Sequence, residues 1–283
     1  MSRILHIETS TDFCSIALSE FETDKFSGIH SGSAGDIGSI VDVGNIKTLY
    51  SFVSDKKNEH ASTLLLYIKQ ALTQTGVAFK DLSAIAVDIG PGSYTGLRIG
   101  IATAKGLAYA LNIPVIGVSP LLAMACGVLK TSVTGTSSLQ ITANSLNISA
   151  AGVNPVQAAA ACKNGSLYVP MLDAGRMEVY AAVYDSLLNE LMPVQALILA
   201  PDTFADIALK HTLVFFGSGS EKFRSVMPDA DKHIFIDGIV PTASLMIPIA
   251  ALEYAAGSFL DTAYFEPLYI KEFIAKPPTV KGL

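Results

Sequence analysis

Cysteine is scarce in this chain. The three residues, Cys14, Cys126 and Cys162, are odd in number and widely separated. That spacing excludes a disulfide framework and a zinc-ligand pattern, and it suits a cytosolic protein. Charge is also thin, at 16% Asp, Glu, Lys and Arg, against about 25% in an average soluble domain. The balance is acidic, with 19 basic against 25 acidic residues and a net charge of −6. This argues against a nucleic-acid binder that works alone, because phosphate binding needs a basic surface. Long apolar runs are missing too. The most apolar stretch, Leu97 to Leu129, is broken by Arg98, Lys105, Pro114 and Pro120, so no window of about 18 residues is fit to cross a membrane. The opening MSRILHIETST has no apolar segment long enough for a signal peptide. The five histidines include no pair at i, i+4, and no metal site is expected. Neither a Gly-x-Ser-x-Gly elbow nor a P-loop is present.

What the chain has is apolar material: 50% of 283 residues. That is enough for a large core, with apolar surface left over for a partner. The length favours two domains. Residues 4–7 end at Glu8, a Thr-Ser-Thr-Asp turn follows, and Cys14, Ile16 and Leu18 alternate with small residues, which predicts a β-hairpin. Residues 27–45 read as a Gly- and Ser-rich loop and 46–54 as a strand. A helix is expected from His60 to Thr75, with Ala61, Leu64, Leu65, Ile68 and Leu72 on one face and Gly76 after it. Residues 84–89, a helix from Tyr94 to Leu111 and a strand from Ile113 to Val118 compose a right-handed βαβ unit. The uncharged stretch 131–162 reads as an inserted, mobile loop. A second hairpin is expected around Asp173-Ala-Gly-Arg176, followed by strands at 213–216 and 234–236 and a helix over 249–260. The second hairpin repeats the first, each with a carboxylate (Glu8, Asp173) at its tip. This suggests two similar α/β halves, divided near residues 119 and 120.

Gly90-Pro-Gly-Ser-Tyr-Thr-Gly-Leu-Arg98 lies between a strand and a helix. Two readings fit it. Gly90, Gly92 and Ser93, with Glu8, suit a vestigial phosphate or nucleotide site at a helix N-terminus. They equally suit a tight turn with close helix packing. Gly96, Gly100, Ala104 and Ala108 form a small-residue stripe that admits another helix, either inside the fold or as a partner surface to which His60 and Leu64 would contribute. Glu8, Asp12, Asp88 and Asp173 are candidates to hold a magnesium–phosphate, or are solvated strand ends.

Several segments together carry a resemblance. They are Ile4 to Thr11, His60-Ala-Ser-Thr-Leu-Leu65, Gly90 to Gly106, Ile113 to Ser119 and Asp173-Ala-Gly-Arg-Met-Glu-Val-Tyr180. With these the chain resembles the TsaB (YeaZ) family of the bacterial tRNA threonylcarbamoyladenosine pathway, densely over residues 1–125 and more thinly over 166–275. The resemblance implies an ASKHA (actin-like, ribonuclease H-like) fold of two duplicated α/β domains with mixed sheets, 1–119 and 120–283. It implies a non-catalytic scaffold subunit without a cofactor, paired with a TsaD-like transferase through its first domain and joined by a TsaE-like ATPase. The complex moves a threonylcarbamoyl group onto the adenosine beside the anticodon of tRNAs that read codons starting with A. A homodimer is expected for the isolated protein, and tRNA is met only through the complex. The transferase relative binds metal with a His-x-x-x-His, of which only His60 remains here; Leu64 stands at the second position. Glu8 replaces the family's usual Asp, Asp-Ala-Gly-Arg176 replaces Asp-Ala-Arg, and 131–162 is an insertion. A reading of another class stays open: a stand-alone actin-like ATP-dependent phosphotransferase of the sugar-kinase type, with Glu8, Gly90 to Ser93 and Gly217 to Gly219 around ATP. A metalloprotease lacks ligands.

Overall fold

The structure is a computed structural model that describes residues 1–26, 46–134 and 165–271. The Gly-rich segment 27–45 lies outside the described residues, as does most of the expected insertion. Strands β1 (Ser2–Glu8), β2 (Ser15–Phe21), β3 (Lys47–Val53), β4 (Ala84–Asp88) and β5 (Val115–Val118) form one sheet in the order β3-β2-β1-β4-β5. Strands β6 (Leu167–Asp173), β7 (Glu178–Tyr184), β8 (Glu190–Ile198), β9 (Leu213–Phe216) and β10 (Ile234–Ile236) form a second, in the order β10-β9-β6-β7-β8. Counted from its own first strand, each sheet has the same order. In each, the first three strands are antiparallel neighbours and the last two run parallel to the first. The duplication inferred from two hairpins is therefore a duplication of whole sheets.

The helices separate the sheets into layers. Helices α1 (His60–Thr75) and α2 (Tyr94–Leu111) cover the outer face of the first sheet, where Leu5, Ile7, Ile16, Leu18, Ile85 and Val87 point. The short helices α4 (Ala205–Ala208) and α5 (Ser220–Arg224) lie on the outer side of the second, over Val169, Met171, Val179 and Phe215. Between the sheets lie α3 (Pro120–Thr134) and α6 (Ala243–Ala255), in the largest core cluster. α3, which follows the first sheet in sequence, packs on β6 and β7, whereas α6, which follows the second, returns to pack on β1, β2 and β5. The last helix thus completes the first sheet's core, and β1 and β4, buried on both faces, read as near-continuous apolar runs for that reason.

Local signals set the outer helices. Gly76 closes α1 in the left-handed region at φ 69°, and Ser93 Oγ caps α2 by accepting from the Gly96 N–H at 3.2 Å. Three elements depart from expectation. Residues 131–134, assigned above to a loop, continue α3. The final helix begins at Ala243 and ends at Ala255, with Pro248 inside it rather than before it. Nearly every α6 side chain from Ala243 to Leu252 is buried, and that packing outweighs the hydrogen bond proline cannot donate. Strand β8 was not foreseen, because Pro193 interrupts its pattern; it is an edge strand, where proline is tolerated. No helix among the described residues is long and apolar enough to cross a membrane.

Candidate functional site

The two hairpin tips, 10–13 and 172–174, come from corresponding ends of the two sheets. They face each other across a cleft of about 490 Å3, with Gly92, Ser93, Ser218 and Val240 in its walls. The carboxylates and glycines around this cleft decide what it can do.

The carboxylates do not converge on it. Asp173 lines the cleft and pairs with Lys222 at 2.5 Å. Asp12 is exposed beside Lys57, at 3.7 Å. Glu8 and Asp88 lie buried beneath the turn, on adjacent parallel strands. The Ser10 N–H donates to Glu8 Oε1 at 2.8 Å, and the Ser10 hydroxyl donates to the same oxygen. The Thr9 N–H and hydroxyl donate to Asp88 Oδ1 at 2.8 and 3.1 Å. Glu8 Oε2 and Asp88 Oδ2 are buried without a hydrogen-bond partner. Burial pushes the Asp88 carboxyl up to about 7; burial first, then the neighbouring Asp88 charge, pushes Glu8 well above the ordinary carboxylate range. The pair anchors the turn that separates it from the cleft. Among the described residues no three His, Cys, Asp or Glu gather as metal ligands.

The glycines are occupied by the protein itself. A Cβ at Gly92 would stand 2.4 Å from the Ser10 carbonyl oxygen, one at Gly96 2.0 Å from that of Thr9, and one at Gly100 2.2 Å from Thr9 Oγ1. The Ser93 N–H donates to the Ser10 carbonyl at 2.7 Å. The motif therefore lets α2 press onto the β1–β2 turn. Gly90 is packed less tightly, where a Cβ would meet a Leu97 methyl at 3.0 Å and the Leu268 carbonyl oxygen at 3.2 Å. The second half repeats this use: a Cβ at Gly217 would meet the Met171 carbonyl oxygen at 2.2 Å, and the Gly219 N–H donates to that oxygen at 3.1 Å. Of the two readings of the glycine motif, close packing is what the geometry bears out. Gly92 and Ser93 still reach the cleft wall, whereas Glu8 does not.

The small-residue stripe must be corrected as a partner surface. Gly96, Gly100, Ala104 and Ala108 are buried inside the fold, and Leu64 and His60 are buried with them. A stripe of small residues marks a close approach but not its direction, and here the approach is to Thr9 and the sheet. The outward faces of α1 and α2 carry Leu65 (53% exposed), Leu66 (61%) and Tyr109 (86%), with Gly106 and Ala110 also exposed. Ala104, at 0% exposure, has no room for a longer side chain. Ala104→Glu is expected to unfold the protein, by several kcal/mol of buried, unpaired charge, and circular dichroism will show it. A folded Ala104→Glu variant would place the residue on the surface.

The family model for tRNA N6-adenosine threonylcarbamoyltransferase (TsaD) matches residues 54–137. The chain is 28% identical to the tRNA threonylcarbamoyladenosine biosynthesis protein TsaB of Escherichia coli, over 96% of both chains. It is 30% identical to the TsaB of Bacillus subtilis over 53% of this chain and 52% of that one. YeaZ from Pseudomonas aeruginosa shares the fold, with a TM-score of 0.61 at 24% identity over 95% of this chain and all of that chain. A second Pseudomonas aeruginosa structure, of an uncharacterized protein with similarity to peptidase YEAZ, matches with a TM-score of 0.64 at 24% identity, over 96% and 100%.

Proposed function

The chain belongs to the TsaB (YeaZ) family with its duplicated ASKHA-type fold, and from that premise we propose that it acts in the cytoplasm as a non-catalytic subunit of threonylcarbamoyladenosine synthesis on tRNA. One observation carries the non-catalytic part: both glycine turns that would cradle phosphate at the cleft are filled by the chain's own backbone, at Ser10 and Met171. A second supports it, since the carboxylates lie beneath the turn or are paired with lysines. No cofactor is required by this reading. The catalytic partner is a TsaD-like transferase, a TsaE-like ATPase completes the complex, and the isolated chain pairs with itself.

The partner surface fits the outward face of α1, where Leu65 and Leu66 stand exposed and Lys69 is the one charged residue of the helix. Apolar surface of this kind gains by being covered. Leu66→Glu is expected to weaken self-association and capture of the TsaD-like subunit by roughly tenfold or more, with an unchanged circular dichroism spectrum. Size-exclusion with light scattering checks it; normal association of the variant moves the interface elsewhere.

The function is tested with purified protein, tRNA and threonylcarbamoyl-adenylate. The chain alone should leave tRNA unmodified, and modification should appear when the TsaD-like and TsaE-like partners are added. Modification by the chain alone would overturn the scaffold reading. ATP turnover by the chain alone would favour the actin-like phosphotransferase instead.

A further inference from the structure

A groove of about 370 Å3 runs along α2, away from the cleft between the halves. Its far wall is the segment after α6, held against the first half by the Leu260 N–H donating to the Val115 carbonyl at 2.9 Å and the Leu268 N–H to that of Ile89 at 2.7 Å. The groove gathers two cations and three aromatic rings. Arg98 lies over the Tyr94 ring at 5.4 Å and donates to its hydroxyl at 3.0 Å. Lys105 Nζ lies 4.4 Å from the Phe265 ring centroid. The Tyr94 and Tyr269 rings are 5.0 Å apart with planes inclined by 36°, and Tyr269 is 41% exposed. One carboxylate, Glu266, faces the two cations.

Aromatic faces beside cations, in a concave surface with a net positive lining, form a binding surface for a planar base with a phosphate next to it. Stacking requires only a π-face, and the cation takes the phosphate. The lone carboxylate leaves one positive charge in excess, which suits the single charge of one phosphodiester. The duplex has its bases stacked away, so an unpaired nucleotide is the form that fits. We propose that this groove holds an unpaired nucleotide of RNA, its base on the exposed Tyr269 ring, which Tyr94 backs, and its phosphate at Arg98 and Lys105. The inference rests on the proposed role in tRNA modification and adds to it a direct RNA contact by this subunit. It accords with the acidic net charge: one groove on an acidic chain binds weakly by itself and gains from a partner that holds the same RNA elsewhere.

Fluorescence anisotropy of a short labelled single-stranded oligoadenylate tests it, with the whole chain. The oligomer should bind with a salt slope of about −0.7 per phosphate contacted. Arg98→Glu and Tyr269→Ala should each weaken binding about tenfold or more while the thermal transition stays in place. Lys80→Glu, an exposed charge change outside the groove, should not. Equal binding of duplex RNA, binding of ATP as tight as that of the oligomer, or unaltered binding by both groove variants overturns the inference. The reconstituted modification reaction separates the two proposals. If the wild-type chain supports modification and Arg98→Glu leaves the KM for tRNA unchanged, the groove inference fails and the subunit role stands. If the wild-type chain supports no modification, the subunit role fails.

Discussion

Gly96→Ala is expected to cost the fold about 3 kcal/mol or more, while Gly106→Ala, ten residues further along the same helix, should raise stability by about 0.5–1 kcal/mol. The two substitutions add the same methyl group to α2, and only its surroundings differ. At Gly96 the new carbon would lie 2.0 Å from the Thr9 carbonyl oxygen, and at Gly106 nothing stands within 4 Å. The Thr9 oxygen belongs to the backbone of a turn pinned by four hydrogen bonds to Glu8 and Asp88, so it cannot retreat as the end of a flexible side chain does. Either α2 lifts from the sheet, exposing the cluster that includes Ile101, Ala104 and Ala108, or the turn tears from its carboxylates. At Gly106 alanine restricts the unfolded chain and meets only water. Urea titration followed by circular dichroism measures both. A Gly96→Ala variant within about 1 kcal/mol of the wild type would mean that the turn yields, and the account of the glycine motif as a packing device would fall.

The second large effect is a pH dependence that the wild type conceals. His6 and Glu8 lie on one face of β1, with Asp88 on the next strand. All three are buried, and they pull in opposite directions. The Asp88 carboxyl is raised from 3.8 to about 7, and Glu8 is raised as well. Above the ordinary carboxylate range the folded pair keeps a proton that the unfolded chain has released. Stability from this source is complete below about pH 4 and declines toward pH 7, by about 1.4 kcal/mol per pH unit for each proton. His6 is lowered by burial from 6.5 to about 3. Below pH 6.5 the unfolded chain takes up a proton that the folded chain refuses, and stability declines as pH falls, at the same slope. Between about pH 4 and 6.5 the two trends offset each other. His6→Gln, which keeps a hydrogen-bonding partner for Ser19 Oγ, now 2.8 Å from His6 Nε2, should expose the carboxylate trend: a protein more stable at pH 5 than at pH 6.5. The double variant Glu8→Gln, Asp88→Asn should expose the opposite trend. Unfolding midpoints measured across this window check both signs. Parallel profiles for wild type and both variants would show that these groups do not titrate with folding.

Much of this fold was legible from local signals. Helices 60–75 and 94–111 follow from apolar spacing, the first with a closing glycine, and the strands at 84–88, 213–216 and 234–236 from short apolar runs. The repeated hairpin, a carboxylate at each tip, pointed to duplication before the matching strand orders were seen. Helix α3 was not legible, because Pro120 to Leu129 is apolar on every side and shows no period. Its burial between two sheets is what makes that sequence possible. The start of α6 was misplaced because proline is a local breaker, and only the packing of its flanks overrides that preference.

What the sequence by itself determined is the outer helices and buried strands, the hint of duplication and the likeness to TsaB proteins, since these reside in periodicity, turn residues and motif spelling along the chain. Direction was decided only by the tertiary structure. A Gly-Gly-Ala-Ala stripe demands a close neighbour, and the sequence cannot say whether the neighbour is another protein or Thr9 of the same one. Glu8 and Asp88 are polar residues at strand ends, which ordinarily face water; here the turn folds over them and donates its hydrogen bonds downward. Tyr94, Arg98, Lys105, Phe265 and Tyr269 stand in two segments more than 150 residues apart, and nothing local links them. The physical reason is the same in each case: close approach and burial depend on which distant segment arrives, and that is settled by the packing of whole layers.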